Sequence, residues 1–297
     1  MNPLYILLTL LSFAVIAYAK KHWRKWWYRN DLVFPQPLVD RTDLLYGYYS
    51  CMGEQVAETK GHVNLLMESQ FNGPDKCIQN ILDAGVTCML DVSYQVFSEY
   101  AAGQHRTVRA DAAQRLQDFF TLLLNRGALK YVRFIYPIDE PNNTVGDVAE
   151  LTKAVALIKD VASQFHDLDG YKLAVIYAAD KPFIGQEMFD LIGFDDYDMK
   201  SHVLVGKQYL ALKDSLLPNQ RLMIIPGGAY GQEPGPFVVF AQIHSEVAVI
   251  MPFLWFDDPW GNVGAVGIRS NDTRAQYIAA GQMVVTNKAT GQINAIS

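Results

Sequence analysis

Two adjacent carboxylates, Asp139 and Glu140, stand where an apolar run, Val132 to Ile138, meets Pro141. Proline lacks the N–H a strand ladder needs and fixes the exit of the chain, so the acids fall at the end of a strand. Paired carboxyls can divide the work of proton donor and base or nucleophile. Other apolar runs also close on acids: Glu68, Asp91, then Asp195, Asp196 and Asp198, then Asp257 and Asp258. Tyr46, Tyr48, Tyr49, Tyr94, Tyr136, Tyr197, Tyr230, Trp255 and Phe256 accompany them. Flat rings cover the apolar faces of sugars while acids accept hydroxyl protons, so this set suits a carbohydrate. The plainer use of Asp139 and Glu140 is a polar turn capping the next helix.

Eight apolar runs would deliver these residues: 44–50, 62–69, 86–93, 131–140, 171–179, 191–198, 221–228 and 247–258. Their near-continuous apolar character is that of strands buried on both faces. Helical spacing fills the gaps. Pro74–Ala84 starts with proline and ends at Gly85, and Ala110–Arg126 ends at Gly127. Val145–Phe165 follows with Asn143 or Thr144 as its cap, then Phe183–Met188, Gly206–Leu216, Phe237–Glu246 and Thr273–Thr286. Strands alternating with helices over this length predict an α/β fold, a (β/α)8 TIM barrel spanning 44–297. An open doubly wound sheet is the alternative, weakened by the lack of a glycine-rich phosphate turn after the first strand.

Within that layout, Ile138-Asp139-Glu140-Pro141 resembles the Asn-Glu-Pro motif ending the fourth strand of retaining (β/α)8 glycoside hydrolases of the clan A type. That resemblance implies Glu140 as general acid/base. It also implies Trp255, ending the eighth run, as a sugar platform, and Tyr197 as the tyrosine such enzymes often carry after the sixth. Two departures stand out. Asp139 replaces the asparagine, and an ionised carboxylate accepts but does not donate. The seventh run ends Pro226-Gly227-Gly228-Ala229-Tyr230, with no acid where these families keep a nucleophile. The second carboxylate is therefore expected from Glu233, just downstream, or from Asp196 or Asp198. Asp139, Asp91, Tyr48, Tyr197, Asp198 and Trp255 are expected to hold the sugar. A barrel that binds or scaffolds glycan without cutting it is the rival function.

Other classes lack support. The six histidines form no HxH or HExxH spacing, so no metal is expected, and nothing calls for a cofactor. No GxSxG elbow and no P-loop occur. A net charge of −6 gives no nucleic-acid footprint. Cys51, Cys77 and Cys88 make no disulfide framework and read as buried thiols. Residues 1–29 read as a membrane anchor, an uncleaved helix over Pro3–Ala19 followed by KKHWRKWWYR, with a cleaved signal peptide as rival. Residues 30–43 read as a linker. The basic flank alone holds the barrel in the cytoplasm, whereas extracellular glycan would require export.

Overall fold

The structure is a computed structural model that describes residues 41–49, 53–70, 73–99, 104–179, 181–195, 197, 202–257 and 266–294. The eight apolar runs become eight strands: β1 (Leu45–Tyr46), β2 (Leu65–Ser69), β3 (Thr87–Asp91), β4 (Val132–Tyr136), β5 (Lys172–Ala178), β6 (Leu191–Asp195), β7 (Arg221–Ile225) and β8 (Val247–Ile250). They pair in parallel in the order β1-β8-β7-β6-β5-β4-β3-β2. Asn64 bridges the remaining gap. Its backbone N–H donates to the Tyr46 carbonyl at 3.0 Å, and its Oδ1 accepts from the Tyr46 N–H at 2.7 Å. Gly47 permits that approach, since a Cβ there would lie 2.3 Å from the Leu65 carbonyl oxygen. The result is a parallel (β/α)8 barrel.

Alternation along each strand divides the apolar side chains between two cores. Leu65, Met67, Met89, Ala174, Ile176, Met223 and Ile225 fill the lumen. Leu66, Leu90, Val175, Tyr177, Leu222 and Ile224 face the helices. At roughly 25 cal/mol per Å² of buried apolar surface, these two layers are the main favourable term in folding.

The helices are α1 (Pro74–Ala84), α2 (Ser93–Val96), α3 (Ala112–Asn125), α4 (Pro141–Thr144), α5 (Val148–Ala162), α6 (His202–Asp214), α7 (Gly235–Ile243) and α8 (Arg274–Asn294). α1 keeps its expected bounds, with Gly85 closing it at a φ of 62°. α5 differs from expectation at its start. Its cap is Asp147, which accepts from the Ala149 N–H at 2.9 Å, because Asn143 and Thr144 are taken up in α4. Phe183–Met188 yields only a single 3-10 turn, Gln186–Met188.

Cys77 and Cys88 are free, buried thiols, and Cys51 lies outside the described residues. So do residues 1–29 and most of the expected linker. Arg41 and Asp43, assigned to that linker, already belong to the barrel. The Arg41 guanidinium donates to the carbonyls of Ala241 and His244, at 2.7 and 3.1 Å, and to that of Val247. Among the described residues no helix is long and apolar enough to cross a membrane.

Candidate active site

The carboxyl ends of β3, β4 and β6 hold the acids. Register brings Asp91 on β3 level with Tyr136 on β4, and Asp195 on β6 level with Ala178 on β5. Past Tyr136, the chain turns through Asp139. Its Oδ1 accepts from the Tyr136 hydroxyl at 2.6 Å, and the Tyr49 hydroxyl is within hydrogen-bonding reach of the same carboxyl. Burial raises the Asp139 pKa to about 6 against the pull of these donors, and the Glu140 charge adds to the rise.

Glu140 has a φ of 43° and a ψ of 63°, the one described non-glycine residue at positive φ. Such a conformation costs on the order of 1–3 kcal/mol and persists only where surrounding bonds enforce it. Here the enforcement is explicit. The Glu140 N–H donates to the Ile176 carbonyl at 3.1 Å, while its carbonyl accepts from the N–H groups of Asn143 and Thr144, each at 2.8 Å. Asn142 ties the turn to β5, accepting from the Ala178 N–H at 3.0 Å and donating to the Ala178 carbonyl at 2.8 Å. Pro141 disfavours the right-handed helical region for Glu140. The strained turn aims the side chain, whose Oε2 accepts from Asn143 Nδ2 at 2.8 Å; Lys181 Nζ in turn donates to Asn143 Oδ1.

Asp195 meets Glu140 directly. The Glu140 carboxyl is near enough to Asp195 for its charge and hydrogen bonding to raise the Asp195 pKa. Burial, then the charges of Glu140 and Asp139, push the Asp195 pKa up to about 8, although the Tyr197 hydroxyl donates to its Oδ2 at 2.9 Å. At neutral pH Asp195 therefore keeps its proton. Beside it, Tyr197 stacks on Tyr230 and Phe253, with ring centroids 4.5 and 5.0 Å away.

The expected residues are distributed unevenly around this mouth. Asp91 stands at the end of β3 and accepts from the Ser93 N–H at 2.7 Å; burial raises its pKa. Glu233 is exposed in the turn before α7, and among the described residues no hydrogen bond or ion pair joins it to Glu140. Asp196 and Asp198 lie outside the described residues, as does Asp258. Trp255 requires a correction. It is fully buried, packs on Tyr48 at 4.6 Å and His62 at 5.5 Å, and its Nε1 donates to Glu58 Oε2 at 3.1 Å. Tyr48, at 1% exposure, belongs to the same core. Neither ring has a face open to a sugar, because the chain beyond β8 turns Trp255 into the outer layer. Glu68 is corrected too, since it points outward and accepts from Asn80 Nδ2 of α1 at 2.8 Å. Asp257 commits its oxygens to the Gly267 N–H and Ser270 Oγ, each at 2.9 Å.

Asp195 as the partner of Glu140 is what sequence reasoning passed over in favour of its neighbours. The signal was parity: Leu191 is in the lumen, and Asp195, four residues along the same strand, shares its face. Among the described residues no cluster of His, Cys, Asp and Glu is arranged to hold a metal ion.

A scan of protein-family profiles finds no match to the sequence, and a search of curated proteins finds none either. Solved structures do match. A GH2 β-galacturonidase from Eisenbergiella tayi, bound to galacturonate, aligns with a TM-score of 0.54 at 9% identity, covering 76% of this chain and 46% of its own. A β-glucuronidase from an uncultured Clostridium sp. gives 0.53 at 11%, over 82% and 50%. Saccharomyces cerevisiae Gas2p, in complex with laminaritetraose and laminaripentaose, gives 0.51 at 10%, over 82% and 62%. The chain thus spans less than two thirds of the length of each. At these identities the likeness is one of fold alone, in keeping with the parallel (β/α)8 barrel described above.

Proposed function

We propose that this protein cleaves O-glycosidic bonds of a polysaccharide or glycoconjugate at the carboxyl-end mouth of its barrel. The supporting observation is the pairing of Glu140, beyond the end of β4, with Asp195, at the end of β6, where burial and the neighbouring carboxylates raise the Asp195 pKa to about 8. Breaking a glycosidic bond needs a proton delivered to the leaving oxygen, and an acid that keeps its proton near neutrality meets that need. Glu140 is the group that faces the bond; Asp195 holds the proton in reserve and restores it. Asp139 and Tyr197 orient the sugar, and the Tyr197–Tyr230–Phe253 stack offers an apolar face for its ring. The galacturonate and the laminari-oligosaccharides bound by two of the structural neighbours agree with this reading in kind.

Glu140→Gln and Asp195→Asn, each keeping its side-chain volume and its neutral hydrogen bonds, are expected to lower turnover of a glycan panel by about 100-fold or more. Purified full-length protein with an unchanged melting temperature is the material to compare. Unchanged turnover in Glu140→Gln would remove that residue from the mechanism.

One observation favours a second reading, a barrel that binds glycan without cutting it. β7 runs out through Pro226, Gly227 and Gly228 without an acid, and Glu233 is exposed with no hydrogen bond or ion pair to Glu140 among the described residues. Binding on the same panel with no product would support that alternative. For residues 1–29 we retain the expectation of an uncleaved membrane anchor. Flotation of the full chain with liposomes tests it, and recovery only in the dense fraction would argue against it.

A further inference from the structure

Resting on the hydrolase reading above, we infer that Gln232 is a positioning residue for the acid at the end of β6. By gripping Gly227 and the backbone of Tyr197 at once, it holds the Tyr197 hydroxyl on Asp195 and the Tyr197 ring in the wall of the mouth.

Gln232 lies in the loop after β7, is only 6% exposed, and has both ends of its amide engaged. Its Oε1 accepts from the Gly227 N–H at 2.7 Å, and its Nε2 donates to the Tyr197 carbonyl at 2.9 Å. A backbone N–H only donates and a carbonyl only accepts, so these two partners fix which way round the amide lies. The backbone of Gln232 is held as well. Its N–H donates to the Gly227 carbonyl at 3.1 Å, and its carbonyl accepts from the Tyr277 hydroxyl of α8 at 2.7 Å. Tyr277 is tied in turn to β1, its carbonyl accepting from the Tyr46 hydroxyl at 2.9 Å. A side chain anchored on so many sides is a rigid support for what it holds.

Gly227 answers to the same ring. Its φ of −77° and ψ of 63° are open to any L residue, so the backbone does not call for glycine. The space does: a Cβ at 227 would lie 2.8 Å from Tyr197 Cδ1 and 3.1 Å from Gln232 Oε1. Tyr197 has little room to give way, because its ring stacks on Tyr230 and Phe253 at 4.5 and 5.0 Å. At the far end of that ring the hydroxyl donates to Asp195 Oδ2 at 2.9 Å. Amide, ring and hydroxyl thus connect the loop after β7 to the acid on β6. Burial and the charges of Glu140 and Asp139 raise the Asp195 pKa, and Tyr49 also faces this carboxyl. The Tyr197 hydroxyl favours the ionised form and opposes that rise, so loosening it moves the Asp195 titration upward.

Carboxyl carbon NMR titration of the purified full chain, labelled at aspartate Cγ, reads this without a substrate; Asp195→Asn identifies the signal. Gln232→Met keeps the length of the side chain and removes the amide, and should raise the Asp195 midpoint by about one pH unit. Gly227→Ala, which displaces the ring directly, and Tyr197→Phe should act in the same direction. Gln232→Met added to Tyr197→Phe should raise the midpoint no further. On any glycan the protein turns over, kcat should fall by about tenfold or more in Gln232→Met and Gly227→Ala, with melting temperatures confirming the fold. A midpoint unchanged in both of these variants, or a Gln232→Met shift that adds to that of Tyr197→Phe, overturns the inference. The upward shift without turnover of any glycan supports it and counts against the hydrolase reading alone.

Discussion

Glu140 holds a left-handed backbone conformation that an L side chain disfavours, and backbone hydrogen bonds to Ile176, Asn143 and Thr144 keep it there. Strain maintained in this way at the mouth of a barrel is a cost met for aiming one carboxylate. It leads to a comparison between two truncations. Both Glu140→Ala and Glu140→Gly lose the side chain, but only glycine is free of the steric penalty at φ 43°. Glu140→Gly is therefore expected to be more stable than Glu140→Ala by about 1 kcal/mol in denaturant unfolding; equal stability would show the turn to be unstrained. Sequence alone exposed Asp139 and Glu140, because Pro141 marks the strand end without ambiguity. The backbone conformation was not legible, since nothing in the residue name forces glutamate into the left-handed region. Asp195 was legible only through strand parity. The three acids in Asp195-Asp196-Tyr197-Asp198 look alike by composition, and only alternation separates them.

At the scale of elements, each strand presents one face to the lumen and one to the helices, and chemistry survives on the first only where it reaches the mouth. Glu68 shows the other outcome. Expected as a site acid, it lies between β2 and α1, bonded to Asn80 and buried beside Cys77 and Cys88. Burial pushes its pKa up from 4.5 to about 8. An acid that binds its proton more tightly when folded contributes stability that is complete below pH 4.5. That contribution is lost as pH rises through about 8. Asp139 and Asp195, also raised, act in the same direction. Thermal melts of wild type and Glu68→Gln at pH 5 and pH 8 isolate the Glu68 share. The wild type should lose more stability across that interval than the variant, and identical losses would mean the Glu68 carboxyl does not titrate there. Trp255 and Tyr48 belong to the same lesson. Their types suit a sugar platform, yet the strand face and the chain path beyond β8 send them into the outer core.

Across the whole molecule, eight runs of apolar residues separated by helical spacing were enough to read the barrel, because parallel strands buried on both faces leave that pattern. Strand ends, helix caps and the closure between β1 and β2 were not, as they depend on single contacts such as Asn64 to Tyr46. The order of strands around the barrel also accounts for the meeting of the two acids. β4 and β6 are not neighbours in the sheet, and β5 alone bridges them at the site. Ile176 receives the Glu140 N–H, and Ala178 pairs with Asp195.

The proposal that Asp195 keeps a proton near neutrality and supplies it through Glu140 to the leaving oxygen is tested most directly by the pH dependence of kcat/KM, measured on whichever glycan the protein turns over. On the proposed reading the form with Asp195 protonated is the active one, so the rate should fall as pH rises through about 8. In Asp195→Asn that alkaline limb should vanish along with most of the activity. A wild-type rate that stays flat through pH 8, or an alkaline limb that survives in Asp195→Asn, would contradict the claim.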